Sequence, residues 1–130
     1  MKEIRVAIVG VGNCTSSLVQ GIHYYRESFN TGGAEAAVGL AHPTLGGFAP
    51  GDINIVAAFD VDARKVGKPL HEAIFAEPNN TQTFYNDFTC DDVIVQMGNV
   101  ADGVADHMGE FAPERRFVVA DQPGASRREV

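Results

Sequence analysis

Gly10-Val11-Gly12-Asn13-Cys14-Thr15 separates a strand-like run, Ile4–Val9, from a helix-like stretch that begins Ser16-Ser17-Leu18-Val19-Gln20. Gly10 allows a tight strand-to-helix turn. Gly12, having no Cβ, lets an anionic group approach the backbone, and the new helix aims its unpaired N–H groups at that anion. Placed in this order, the glycines predict the diphosphate-binding turn of a dinucleotide fold. Thr15 holds the third motif position, where Gly or Ala is usual. The alternative is a tight turn whose glycines serve packing only.

Asp60 closes the next apolar run, Ile53–Asp60. Dinucleotide folds place an acid there on the adenosine ribose. It accepts from the 2′-hydroxyl and repels a 2′-phosphate, so NAD is expected rather than NADP. The usual separation from the glycines is about 20 residues, and a glycine-rich insertion lengthens it here. The competing role for Asp60 is to cap a following helix, which Asp62 could also do. Arg64 and Lys65 are expected as solvated charges on that helix. Asn79-Asn80-Thr81 could hydrogen-bond a cofactor or simply terminate a helix. Gln96-Met97-Gly98 follows a third short strand, on the sheet edge where dinucleotides lie.

Other reactive residue types point to no reaction. Cys14 is expected as a small side chain lining the turn. Cys90, beside Asp91 and Asp92, is discouraged from becoming a thiolate. His23, His42, His71 and His107 lack the short spacings of a metal site. His23 and His71 are expected at solvent or at a core edge. No Ser–His–Asp pattern, acid pair or lysine in apolar company stands out. No catalytic residue and no metal ligand is therefore assigned.

The elements that must position these residues follow from the apolar pattern. The first helix is expected from Cys14 to about Ser28, with Leu18, Ile22 and Tyr25 on one face. Residues 29–52 are rich in glycine, carry Pro43 and Pro50, and predict an irregular insertion. Val61–Gly67 begins a helix that could run on past Pro69 through Phe75, where Pro78-Asn79-Asn80-Thr81 breaks it. Val93-Ile94-Val95-Gln96 reads as a short third strand, and Phe117–Ala120 as another apolar run. This β-α-β-α-β order predicts an α/β fold, a partial Rossmann-like parallel sheet amounting to about half of a doubly wound domain.

The 130 residues suit one domain, and 45% hydrophobic content is that of a globular chain. A net charge of -7 argues against nucleic acid or an anionic membrane as partner. No apolar run is long enough for a signal peptide or a membrane span. With two cysteines and no disulfide framework, a reduced, cytoplasmic protein is expected.

Val6–Cys14, Ser16–Gly21 and Tyr24-Tyr25, with Val56–Ala63, Lys65-Val66-Gly67, Glu72–Ala76 and Asn79-Asn80-Thr81, closely resemble the bacterial and archaeal myo-inositol-1-phosphate (inositol-3-phosphate) synthases. The likeness includes the insertion. It implies a Rossmann domain carrying a second α/β domain, assembled as a homo-oligomer. Glucose 6-phosphate, the implied sugar-phosphate substrate, would become inositol 3-phosphate through oxidation by NAD, enolisation, aldol closure and reduction. Residue by residue, the resemblance assigns Gly10, Gly12, Asn13 and Cys14 to the diphosphate turn and Asp60 to the ribose. It sets Asn79, Asn80 and Thr81 near the cofactor. Thr15 replaces the family's usual Ala, and Met97 an Arg often found after Val-Gln.

Residues 1–130 are thus expected to form an incomplete NAD-binding domain that lacks the catalytic domain and is inactive alone. A partner chain or further copies would complete it. The alternatives are a non-catalytic nucleotide-binding or oligomerisation module and the cofactor half of another NAD-dependent oxidoreductase.

Overall fold

The computed structural model describes residues 2–126 and Arg128. Strand β1 (Ile4–Val9) leads into helix α1 (Asn13–Gly32), then β2 (Ile53–Asp60), the short helix α2 (Leu70–Ala73) and β3 (Val95–Met97). The strands form one parallel sheet in the order β1-β2-β3, with Ile8 opposite Ala58 and Ala58 opposite Val95. The α/β half-sheet expected from the sequence is present. β-Branched runs favour these strands because their side chains pack well on a pleated surface.

The larger of two core clusters among the described residues holds the layers together. Ile8, Ile55, Ala58 and Val95 from the sheet meet Val19 and Ile22 of α1, and Leu70, Ala73 and Ile74 in and just after α2. Burying each large aliphatic side chain contributes about 1.5–3 kcal/mol. Val9, which follows Ile8 and points to the opposite face by strand alternation, is 81% exposed.

Helix α1 differs from expectation in length and in facing. It runs past Ser28 to Gly32, where the Gly33 N–H bonds the Phe29 carbonyl. Its buried residues are Thr15, Ser16, Val19, Gln20 and Ile22, whereas Leu18 is 47% exposed. Polar groups are buried there because they serve loop backbone: Gln20 Oε1 accepts from the amides of Phe84 and Tyr85.

Residues 33–52 contain two 3₁₀ turns, 33–36 and 50–52, and are pinned from outside. Arg26 donates to the carbonyls of Gly51 and Ile53, Tyr25 to Val38, and Lys2 to Gly47.

Residues 61–67 form turns instead of a regular helix. Asp62 Oδ1 takes the Arg64 amide, and Gly67, at φ +85°, donates to Val95 while Lys68 accepts from it. Bonds given to β3 cannot continue a helix. Phe117–Ala120 likewise forms no strand and bridges residues 61–63 through Ala63 N to Val118 O and Ala120 N to Val61 O.

Candidate functional site

The β1–α1 turn is built as an open cradle. Gly10 takes φ +94°, a conformation that favours glycine, and its N–H bonds the Phe59 carbonyl at 2.8 Å. Gly12 is the N-cap of α1, and no side chain caps the helix. Its chain neighbours aside, a Cβ at Gly12 would meet no atom of the described residues within 4 Å. Packing therefore does not require this glycine, and the space beside it is free for a ligand. The hydroxyl of Thr15 donates to the Gly10 carbonyl at 2.6 Å, tying the first helical turn back onto the glycines.

Val11, fully buried between the glycines, is held from both sides. Its N–H donates to Asp60 Oδ2 at 2.6 Å, and its carbonyl accepts from Lys65 Nζ. Asp60 Oδ1 accepts from the amides of Val61 and Asp62, so this carboxylate, 8% exposed, braces the turn as well as the end of β2.

Lys65, expected at the surface, is instead 1% exposed, with the Pro78 carbonyl as its second acceptor at 3.3 Å. Burial lowers its pKa, and the charges of Asp60 and Asp62 act against that. Acceptors distant along the chain, the Val11 and Pro78 carbonyls, give Lys65 this role, so no local signal announced it.

Asn79, Asn80 and Thr81 pack on the same turn. The Asn80 amide donates to Asn13 Oδ1 at 2.8 Å, the Thr81 hydroxyl to the Asn13 carbonyl, and Asn79 Nδ2 to the Ile74 carbonyl and Ser16 Oγ. Gly10, Gly12, Asn13, Cys14, Thr15 and Asp60 line one cavity of about 390 Å³, together with Gly98 and Asn99 beyond β3 and Phe117. Asn80 lines a neighbouring cavity with Gly12 and Asn13, and Thr81 lines neither. Of the expected Gln96-Met97-Gly98, only Gly98 reaches the cavity wall.

Phe117 is held there by a C-terminal strap. Arg64 pairs with Asp62 at 2.7 Å and donates to the carbonyls of Pro113 and Arg116. Burial works against the Asp62 charge, but hydrogen bonds from Arg64 and the Val118 amide keep its pKa below the ordinary value. The apolar run 117–120 was visible in the sequence; its placement beside the glycine turn was not.

Cys90 lies away from the cavity. Its Sγ is 3.4 Å from His23 Nε2, and the His23 ring stacks on Phe88. Burial, helped by Asp92, pushes the thiol pKa up to about 11. Among the described residues no group of His, Cys, Asp and Glu is placed to hold a metal ion, and no helix is long and apolar enough to cross a membrane.

An open glycine, uncapped helix amides and a carboxylate at the end of the neighbouring strand together fit a nucleotide diphosphate and its ribose. No known protein-family profile matches the chain. It is 53% identical over 108 residues to the inositol-3-phosphate synthase of Mycolicibacterium smegmatis, covering 83% of this chain and 29% of the relative. The synthases of Mycobacterium tuberculosis and Corynebacterium glutamicum are 48% and 47% identical, covering 83% and 80% of this chain and 28% of each relative.

Among solved structures, Ari2 superimposes with a TM-score of 0.68 at 37% identity, over 83% of this chain and 33% of that one. A myo-inositol-1-phosphate synthase-related protein from Thermotoga maritima gives 0.53 at 25% identity, over 91% of this chain and 26% of that one. This chain is a homologue of the inositol-3-phosphate synthases, alike over most of its own length and spanning about 28% of theirs.

Proposed function

We propose that this chain is the NAD-binding portion of an inositol-3-phosphate synthase, which converts glucose 6-phosphate to 1D-myo-inositol 3-phosphate. The observation that carries the reading is the free space where a Gly12 Cβ would stand, at the uncapped start of α1. NAD, when bound, would accept a hydride from the sugar phosphate and later return it, so that the isomerisation has no net redox change. The chain's own part is to bind and orient. Its first-turn amides, at the positive end of the α1 dipole, hold the diphosphate. Thr15 keeps those amides in line with Gly10, and Asn13 and Asn80 form the rim. Asp60, braced by three amides, retains lone pairs for a ribose hydroxyl and repels a 2′-phosphate.

Because the chain spans under a third of its relatives, it is expected to bind nucleotide without converting glucose 6-phosphate alone. Enolisation and aldol closure are assigned to residues outside these 130, on a further segment or a partner chain in a cytoplasmic homo-oligomer.

Calorimetric titration with NAD and NADP tests the cofactor. NAD should bind more tightly than NADP. Gly12→Ala should weaken NAD by tenfold or more, because its Cβ would occupy the diphosphate's space. Asp60→Ala should weaken both nucleotides by loosening Val11, and should also narrow the preference for NAD. A folded chain that binds no NAD would sink the proposal.

A further inference from the structure

Beside the glycine turn lies a second cavity, of about 200 Å³. Gly12, Asn13 and Asn80 line one side of it, and Arg115 and Arg116 come to it from the C-terminal strap. Among the described residues no carboxylate lines it. Among the described residues neither guanidinium forms an ion pair, and Arg116 Nε is shut off from solvent with no hydrogen-bond acceptor.

Buried donors are nearly always paired with protein, ordered water or an ion, so this orphan on a cation leaves an acceptor to be identified. The strap is not loose: Arg64 grips the Pro113 and Arg116 carbonyls while Asp62 holds Arg64. The strap thereby brings Arg115 and Arg116 to the cavity lined by Gly12 and Asn13 at the uncapped start of α1, in a chain of net charge -7. Guanidinium forks and helix N-termini both select phosphoryl oxygens.

We propose that this cavity is a phosphate subsite in which Arg115 and Arg116 close over the Gly12–Asn13 turn. The phosphoryl group comes either from the nucleotide's own diphosphate or from a separate phosphate monoester. The first source rests on the nucleotide reading, and the second does not.

Calorimetry on the whole chain with inorganic phosphate and with NAD separates these cases. Wild-type protein should bind phosphate, and Arg116→Gln and Arg115→Gln should each weaken it roughly 10- to 100-fold, as expected for a lost charge-assisted hydrogen bond. Arg116→Lys should retain part of the affinity. If NAD displaces phosphate and Arg116→Gln weakens both, the group is the nucleotide's own. If phosphate binds beside saturating NAD and Arg116→Gln weakens phosphate alone, a separate monoester occupies the site. Phosphate binding without NAD binding would remove the nucleotide reading and leave the subsite standing. Absent phosphate binding, with NAD affinity unchanged in both glutamine variants, would overturn the proposal. Arg115 is exposed, so Arg115→Gln decides the matter if thermal melts show Arg116→Gln unfolded.

Discussion

An ammonium group held at 1% exposure must find acceptors inside the protein, and Lys65 finds the carbonyls of Val11 and Pro78. It thereby joins the glycine turn to the Pro78–Thr81 loop, while Asp60 takes the other side of Val11. Lys65→Met keeps the volume of the stem and removes both hydrogen bonds. Urea unfolding should show a loss of about 1–3 kcal/mol, the cost of stranding buried acceptors. Nucleotide affinity should fall with it, because Val11 no longer sits between two braces. Equal stability of wild type and Lys65→Met would refute the brace. Thr15 makes a similar point on a smaller scale, since its hydroxyl, atypical for this motif, has a defined acceptor in Gly10.

At the scale of elements, α1 joins the site to the rest of the fold. Its first turns serve the cradle, and its middle packs His23 against Phe88, with ring centroids 4.1 Å apart, and beside Cys90. Burial, with Arg26 adding, lowers the His23 pKa to about 4. The unfolded chain titrates at the ordinary value near 6.5 and so binds the extra proton between the two. Stability should therefore fall as pH drops from 6.5 towards 4 and level off below. The loss should be about 2 kcal/mol after allowance for the ring's partial exposure. His23→Phe keeps the stacking and removes the titration. Urea unfolding at pH 7 and at pH 4.5 should show wild-type protein losing most of this stability while His23→Phe keeps it.

At the scale of the whole chain, the described residues form a three-stranded half-sheet with one covered face and a strap across the carboxyl ends of β2 and β3. Parallel sheets are ordinarily covered on both faces, and here Val9 and Val56 remain exposed. The strap depends on Arg64, which links Asp62 to the carbonyls of Pro113 and Arg116. Asp62, its pKa held down, contributes stability above the ordinary carboxylate range that is lost as pH falls through its folded pKa. Arg64→Ala should remove about 2–3 kcal/mol at neutral pH, the value of hydrogen bonds to a charged group. It should also release the strap, so that limited proteolysis cuts within residues 113–126 well before it cuts β1 or α1. Unchanged protection there would show that Arg64 does not hold the strap.

The amino-acid sequence by itself determined the parts that depend on neighbours along the chain. Ile4–Val9 and Ile53–Asp60 are strands because each is a compact apolar run, and the Gly10–Gly12 turn is recognisable because its neighbours are a strand and a helix. Local pattern misread Val61–Gly67, whose backbone bonds go to β3 and to the Asp62 carboxylate. Tertiary structure alone decided that Lys65 lies under the turn, that Asn80 and Thr81 bond Asn13, and that Arg115 and Arg116 line a cavity with Gly12. The first two are polar groups finding partners far away along the chain, and the third brings side chains together across it. A buried donor or acceptor must be satisfied, but its residue type does not say by which distant group, and that choice is made only when the chain closes on itself.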